Sequence, residues 1–485
     1  MSLHLARRLP SRWFGRLGSA AGCKQGQASS VRGMANQGND PWLTATPRVC
    51  LHDVPTTLRA GGLPPHAPVT LSANLTDENG REFASHAHYI TDEQGRLDVT
   101  TAAAVSGSYK GVFPAGLLTT LAPAPHEFPL LRFYRRDPSF SLKITLRLID
   151  GHQPLEIMTK PLTEVELERH LMAPGVRRRP VREGRVRGAL YLPPGDGPFP
   201  GVIDMFGSVG GLLEFKSAML ASRGIASLAL AYFAYEDLPK TTDYFDLEYF
   251  EEAVEVLLSQ PEVVPDRCGI VAVSKGTDVA CCMATYLTQV KALVTISGSP
   301  IAVDSVITYR GHTLVEGYKL DASIMAADQD GRLYPQRELL KQGVQADHPK
   351  FIPIEKADDD TYFLMAVGGQ DAWSLNIFLS VARERMDSRG RGAWLETVEY
   401  PGAGHILEPP YGAHVPHSYH RYLPVVAEDG STKVVGVPVL WGGNAKDHCR
   451  AQEDLWPRMI AFFTKHVRDS SSWYKQHYDN NSQQL

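Results

Sequence analysis

The chain has 485 residues, of which 43% are hydrophobic and 21% are charged, and its net charge is -5. This length exceeds that of one compact domain, so we expect two or three folded units. The weakly acidic balance gives no reason to expect nucleic acid as a partner. No apolar run approaches the roughly 20 residues of a membrane span, so we expect a soluble protein. Six irregularly spaced cysteines, without a Cys-x-x-Cys pair, indicate neither a disulfide framework nor a zinc site.

Residues 1–39 are basic and contain no acidic side chain. Leu9, Trp13 and Leu17 are among the residues that would form the apolar side of a basic amphipathic helix. This composition is typical of a mitochondrial transit peptide, with a disordered basic tail as the alternative. We therefore expect the protein in the mitochondrial matrix, and a shorter form starting at Met34 would stay in the cytosol.

Residues 40–165 follow a period of two. Apolar and polar side chains alternate over 69–75 and 142–148, and Asn79-Gly80 provides turn chemistry between such runs. The pattern predicts an antiparallel β-sandwich of roughly immunoglobulin size. No cluster of catalytic residue types occurs here. We expect this domain to cover or shape the entrance of a site elsewhere, or to have a structural role only.

Residues 166–470 form a second predicted domain, and 471–485 form a C-terminal tail. The domain opens with a basic stretch at 175–180, whose three arginines fit a solvated linker or contacts with the phosphates of a nucleotide-bearing substrate. Short apolar runs then alternate with helical patterns, which predicts a mostly parallel sheet with helices on both faces. The runs are 201–205, 225–230, 269–273, 292–296, 362–367 and 395–400.

One of these runs leads directly into Ser274. A helical pattern begins just after this serine, and Ala272 and Gly276 flank it in a weakened G-x-S-x-G motif. A serine on a tight strand-to-helix turn is typical of the nucleophile of an α/β-hydrolase. The alternative is an ordinary serine in a surface turn.

Two further residues follow predicted strands in glycine-rich loops. Asp371 comes after the run at 362–367, and His405 comes after the run at 395–400. Since reactive groups collect at the carboxyl ends of parallel strands, we expect both near Ser274. The order Ser, Asp, His is that of the α/β-hydrolases. The spacing therefore predicts a catalytic triad, although a loop-capping aspartate and a structural histidine are the alternatives.

A triad also requires donors for the oxyanion of the tetrahedral intermediate. We expect one donor to be the backbone N–H of Lys275, the residue after the nucleophile. The other is expected from the loop that follows the run at 201–205, at Phe206 or Gly207.

With these residues in place, the sequence resembles the type I acyl-CoA thioesterases, which form a family with bile acid-CoA:amino acid N-acyltransferase. The segments that carry the resemblance are 185–188 (RVRG), 197–207 (GPFPGVIDMFG), 235–240 (YEDLPK), 247–253 (LEYFEEA), 274–276 (SKG), 351–353 (FIP), 404–411 (GHILEPPY) and 441–443 (WGG).

The resemblance implies a β-sandwich followed by an α/β-hydrolase domain, with nucleophile, acid and base at Ser274, Asp371 and His405. It implies hydrolysis of fatty acyl-CoA, of medium to long chain length, to free fatty acid and CoA. We expect a monomer that needs no cofactor. The segment 299–360, which has no predicted strand, is a candidate lid or acyl channel.

Three other functions compete with this one. The related acyltransferases, which transfer the acyl group to glycine or taurine, have cysteine at the nucleophile position, where this chain has serine. The others are a non-catalytic binding protein with a hydrolase fold and a general carboxylesterase.

Overall fold

The computed structural model describes residues 40–318, 322–343, 348, 350–426 and 432–467. The predicted transit peptide at 1–39, with Met34, and the predicted tail at 471–485 lie outside the described residues. Within the described ranges, no helix is both long and apolar enough to cross a membrane.

The first part of the described chain forms short and long strands with one helical turn: β1 (Trp42–Thr46), β2 (Val49–Leu51), β3 (Thr57–Gly61), β4 (Pro68–Thr76), β5 (Glu82–Ile90), β6 (Leu97–Asp98), β7 (Ser106–Gly107), α1 (Gly116–Thr119), β8 (Ala122–Pro123), β9 (Leu142–Asp150) and β10 (Thr163–His170).

These strands build a two-layer β-sandwich. One sheet has the order β1-β3-β6, and the other has the order β2-β10-β9-β4-β5-β7 with β8 beside β5. Successive side chains of a strand point to opposite faces, so the predicted alternation places Leu71 of β4 and Leu146 of β9 in the core between the layers. The second sheet extends beyond the predicted boundary at 165, because β10 pairs with β9 as far as Arg169.

The rest of the described chain contains the following elements: β11 (Arg177–Glu183), β12 (Val186–Leu192), β13 (Gly201–Met205), α2 (Phe215–Ala221), β14 (Ala226–Ala231), β15 (Tyr244–Asp246), α3 (Leu247–Leu258), β16 (Cys268–Val273), α4 (Gly276–Tyr286), β17 (Val290–Ile296), β18 (Val306–Tyr309), β19 (His312–Glu316), β20 (Met325–Ala327), β21 (Leu333–Pro335), α5 (Arg337–Gly343), β22 (Tyr362–Gly368), α6 (Ile377–Ser388), β23 (Leu395–Tyr400), β24 (His417–Val426), β25 (Thr432–Leu440) and α7 (Ala445–His466).

An eight-stranded sheet is the centre of this part, with the order β11-β12-β14-β13-β16-β17-β22-β23. The strands from β14 to β23 are parallel, and β11 and β12 are antiparallel. Both faces are covered by helices. Ile270 of β16 packs in the cluster that includes α3 and α4, whereas its neighbour Val271 packs in the cluster that includes α2 and α7. The predicted α/β-hydrolase fold preceded by a β-sandwich is confirmed.

Three sequence interpretations differ from the structure. The basic stretch is not a solvated linker, because Arg177, Arg178 and Arg179 lie in β11 and pair with glutamates. The segment 299–360 contains β18 to β21 and α5, so the expectation that it lacks strands is wrong. The hairpin of β24 and β25 was not predicted; it pairs with β21 in a small separate sheet.

Candidate active site

Ser274 lies on the turn between β16 and α4. Its φ is 51°, a left-handed conformation that a serine adopts only when the surrounding structure imposes it. Its backbone N–H donates to the carbonyl of Ile296 (2.9 Å), and its own carbonyl accepts from the hydroxyl of Thr277 (2.6 Å). A side chain at Gly276 would meet the Phe206 carbonyl at 2.6 Å. The turn is therefore fixed on both sides of Ser274, and its hydroxyl is only partly buried.

The structure brings Ser274, His405 and Asp371 together in a chain of hydrogen bonds. The Nε2 atom of His405 is 2.9 Å from the hydroxyl of Ser274, and its Nδ1 atom is 2.8 Å from Oδ2 of Asp371. The other carboxylate oxygen of Asp371 accepts the backbone N–H of Trp373 (2.8 Å). His405 and Asp371 are buried. This geometry allows the imidazole to take a proton from the hydroxyl while the carboxylate fixes its tautomer.

The loop that carries His405 is held by side chains from α7 and from the segment after β25. His448 accepts the N–H of Gly404 (3.1 Å) at Nδ1 and donates from Nε2 to the carbonyl of Ile406 (2.8 Å). The ring of Trp441 lies parallel to that of His405, with centroids 5.1 Å apart. The imidazole is therefore fixed in position and in ring plane.

The three residues predicted to form an oxyanion site are adjacent to Ser274. Lys275 is the N-cap of α4, and Phe206 and Gly207 follow β13. A Cβ atom on Gly207 would be 3.0 Å from that of Ser274, so only a glycine fits here without displacement. Within the described part of the chain, the backbone N–H groups of these three residues have no hydrogen-bond acceptor.

A cavity of about 780 Å³ opens above Ser274 and His405 and is lined by the sandwich, the loop after β13 and the β24–β25 hairpin. Arg132, from the sandwich, forms a buried ion pair with Glu408. His420 of β24 is 3.2 Å from the hydroxyl of Ser208. Burial, with the nearby charges of Arg132 and His405, lowers the pKa of His420 to about 4, so this imidazole is neutral near pH 7.

Sequence reasoning assigned no role to Arg132, His420, Trp441 and His448, although Trp441 lies in a segment that carries the family resemblance. Ser274 and Asp371 follow apolar strands, His405 follows a strand of mixed apolar and polar residues, and these strands are the signal by which the triad is found. These four residues have no comparable local pattern, and His420 and His448 are two of 17 histidines. Conversely, no residue of the segment 299–360 that the structure describes lines this cavity.

The sequence matches two family models over most of its length. Residues 53–183 match the N-terminal region of the acyl-CoA thioester hydrolase/BAAT family, and residues 245–469 match its C-terminal region. Human acyl-coenzyme A thioesterase 1 is 41% identical, covering 86% of this chain and 94% of that protein.

Two further relatives have similar identities. Human acyl-coenzyme A thioesterase 2, mitochondrial, is 40% identical over 86% of this chain and 82% of its own length. Mouse peroxisomal succinyl-coenzyme A thioesterase is 39% identical over 87% of this chain and 95% of its own length. The chain therefore belongs to the acyl-CoA thioester hydrolase/BAAT family.

Proposed function

We propose that this protein is a serine hydrolase that cleaves fatty acyl-CoA to free fatty acid and CoA. The observation that carries the proposal is the hydrogen-bonded chain from Ser274 through His405 to Asp371, which lies beside a cavity in a member of this family. The names of the relatives agree with a thioester substrate.

In the first half of the reaction, His405 takes the proton of Ser274 as the serine oxygen attacks the thioester carbonyl. The carboxylate of Asp371 accepts a hydrogen bond from Nδ1–H of His405 and stabilises the imidazolium. The N–H groups of Lys275 and of Phe206 or Gly207 donate to the oxyanion, each contributing about 3 kcal/mol to the transition state. Because a thiol has a pKa of roughly 8.5, CoA leaves with little need of protonation. The proton on His405 is transferred to the sulfur of the departing CoA.

In the second half, water attacks the serine ester, and His405 removes a proton from that water. As the tetrahedral intermediate collapses to free fatty acid, His405 returns this proton to the departing oxygen of Ser274 and so restores its hydroxyl. A hydrolase and an acyltransferase share the first half and differ in the acceptor. Turnover with glycine or taurine present, followed by analysis of the products, separates them: an N-acyl conjugate as the main product would contradict the hydrolase proposal.

Ser274→Ala tests the site. We expect acyl-CoA hydrolysis, measured by release of free thiol, to fall by at least about 10⁴-fold, because no other hydroxyl replaces the nucleophile. The thermal unfolding midpoint should remain close to that of the wild type. Ser380→Ala, a change at an exposed serine of α6, is the matched control. Retained turnover in Ser274→Ala would place the nucleophile elsewhere.

We also propose medium- to long-chain acyl groups as substrates, and a series of acyl-CoA lengths in the same thiol assay tests this. One relative is named for succinyl-CoA, so membership of the family does not by itself define the acyl group. A preference for short or dicarboxylic acyl groups would contradict this part of the proposal and leave the thioesterase chemistry intact.

For location, we propose the mitochondrial matrix. Support comes from the basic, acid-free composition of residues 1–39 and from a relative that is named mitochondrial. Another relative is named peroxisomal, so the family includes more than one compartment. Residues 1–39 fused to a fluorescent protein should enter mitochondria, and replacing the arginines of this segment with glutamine should prevent import. A diffuse cytosolic signal from the unmodified fusion would exclude a transit peptide.

A further inference from the structure

The mouth of the active-site cavity has a pair of exposed aromatic rings. Phe128, from the sandwich, and Tyr419, from β24, have side chains that are 52% and 42% exposed. Their centroids are 6.2 Å apart and their planes are at 73°, so the rings form an apolar corner open to solvent. Both residues line the cavity that Ser274 also lines. Exposed aromatic rings at the entrance of a cavity are typical of a surface that binds a flat apolar group.

The position of Tyr419 is fixed by its surroundings. Its backbone N–H donates to the carbonyl of Leu130 (2.9 Å), which connects β24 to the segment that contains Phe128. Its ring lies over Gly436 of β25, where a Cβ atom would be 2.3 Å from the tyrosine oxygen. The corner is therefore preorganised, although it is formed from two distant parts of the chain.

Two arginines that line the same cavity have no ion pair closer than 4.0 Å among the described residues. Arg136 is 81% exposed, and the carboxylate nearest to it, that of Glu78, is 4.0 Å away. Arg421 is exposed, and none of the described carboxylates pairs with it. The register of β24 and β25 is irregular between His420 and Leu423, which breaks the alternation of side chains, so that both His420 and Arg421 line the cavity.

The other cations of the cavity are already paired. Arg132 binds Glu408, Lys216 binds Asp204 and Arg81 binds Asp77. Among the described residues, Arg136 and Arg421 are therefore the least paired cations of the cavity and the ones best able to donate to an anionic ligand. Arginine is well suited to phosphate, because its planar guanidinium group donates two parallel hydrogen bonds.

A cavity lined by exposed aromatic rings and by weakly paired arginines matches a ligand that has a flat base and several phosphates. We propose that this surface binds the adenine nucleotide of the CoA thioester: Phe128 and Tyr419 contact the adenine, and Arg136 and Arg421 donate to the phosphates. The inference rests on the proposed function, because it concerns the same substrate. The thioester lies at Ser274, and the nucleotide at the other end of the molecule lies at the mouth of the cavity. It also assigns part of the substrate site to the β-sandwich.

The test compares two substrates that have the same acyl group, one on CoA and one on pantetheine, which lacks the nucleotide. In Phe128→Ala/Tyr419→Ala and in Arg136→Gln/Arg421→Gln, we expect the KM for acyl-CoA to rise by about tenfold or more, since a base stacked on an aromatic ring or a charge-assisted hydrogen bond contributes on this scale. The kcat for acyl-CoA, and kcat/KM for acyl-pantetheine, should stay within about twofold of the wild type. Phe140→Ala and Arg389→Gln, at exposed positions outside the cavity, are the matched controls.

Equal losses on both substrates would mean that these residues only maintain the structure, and no loss on either would place the nucleotide elsewhere; both results overturn the proposal. Adenosine 3′,5′-bisphosphate should compete with acyl-CoA without altering turnover of acyl-pantetheine. If it alters that turnover, the surface is a separate effector site for free nucleotide and the proposal is wrong.

Calorimetric titration of Ser274→Ala with the same nucleotide separates this inference from the proposed function. Binding that disappears in the arginine variant supports the nucleotide site even if the wild type hydrolyses no thioester. Absence of binding to Ser274→Ala, in a protein whose wild type hydrolyses acyl-CoA, overturns the nucleotide site alone.

Discussion

At the scale of single residues, His448 has a role that its place in α7 does not suggest. It contacts the backbone on both sides of His405, accepting from Gly404 and donating to Ile406. Burial lowers the pKa of His448 to about 3, so the ring is neutral and has one donor and one acceptor. These two bonds require the tautomer that has its proton on Nε2. His448 is thus a positioning residue for the general base.

His448→Ala removes both bonds and leaves two buried backbone groups without partners. We expect kcat to fall by about tenfold or more, because a small displacement of His405 lengthens the bond to Ser274, while KM changes by less than about twofold. His466→Ala, on the same helix but against Tyr362, is the control. If kcat in His448→Ala is unchanged at a temperature where the variant is folded, the His405 loop is positioned by other contacts.

Ala272 and Gly276 show why a weakened motif still produces the turn. Ala272 is fully buried in β16, and its Cβ atom packs in the core cluster of α3 and α4, so a methyl group fits there. At Gly276, a Cβ atom would be 2.6 Å from the carbonyl of Phe206. The steric requirement for glycine therefore applies at the second position of the motif in this chain and not at the first.

At the scale of elements, α4 is anchored to the segment that leads into β18. The Nζ atom of Lys275 donates to Asp278 (2.8 Å), to the hydroxyl of Ser305 (2.5 Å) and to the carbonyl of Val303. Asp278 also accepts the backbone N–H of Val303 (2.9 Å). Burial raises the pKa of Asp278, and the positive charge of Lys275 opposes that rise. The residue predicted as an oxyanion donor therefore has a separate structural role through its side chain.

Lys275→Met separates the two roles. It leaves the Asp278 carboxylate buried without its cation, so we expect the free energy of unfolding, measured by denaturant titration, to fall by about 3 kcal/mol. Because the backbone N–H is retained, kcat of the folded variant should stay within about threefold of the wild type. Lys275→Met/Asp278→Asn should recover part of the stability, since the unpaired charge is gone. A large loss of kcat without loss of stability would show that the ammonium group acts in catalysis.

The sequence predicted the central sheet because its parallel strands, apart from the edge strand β23, are buried on both faces, which requires a continuous apolar run. Runs such as 292–296 and 362–367 therefore correspond to β17 and β22 within two residues. The β24–β25 hairpin lacks this signal. It contains Pro424, Gly436 and Pro438, which argue against a strand in a sequence-based prediction. Ser274 and Asp371 follow strands of the first kind and His405 follows β23, whereas His420 and Arg421 lie on the hairpin.

At the scale of the whole molecule, the sandwich and the hydrolase part share polar contacts. Asp53, after β2, accepts two bonds from Arg223 (2.6 and 2.7 Å) and one from the indole of Trp456 (2.8 Å). The ion pair of Arg132 with Glu408 connects the sandwich to the loop that carries His405. This interface was not predictable from the sequence, because its partners are far apart in the chain and none of them has a local pattern that points to the other. The contacts explain why residues of the sandwich line the active-site cavity.

The buried histidines make the stability of this molecule depend on pH. Burial lowers the pKa of His414 and His420 to about 4 and that of His52 and His448 to about 3. In the unfolded chain each has a pKa near 6.5, so below that value the unfolded state binds protons that the folded state does not. Stability therefore rises with pH between about 4 and 6.5 and is lost as the pH falls through that window.

Each such histidine contributes a slope of up to about 1.4 kcal/mol per pH unit within the window. The lowered pKa values of Asp53 and Asp77 act in the same direction, but only below their ordinary value of 3.8. The raised pKa of Asp278 acts in the opposite direction above that value, but it is one group against four histidines, so the histidines dominate the change between pH 6.5 and 4. We expect the free energy of unfolding, from urea titrations, to fall steeply from pH 7 to pH 5. His448→Gln removes one of these titratable groups. The free energy of unfolding should then depend less steeply on pH within the window, by up to about 1.4 kcal/mol per pH unit, whatever the effect of the substitution on stability at pH 7. A slope equal to that of the wild type would mean that His448 is protonated in the folded protein, which is incompatible with its acceptor role toward Gly404.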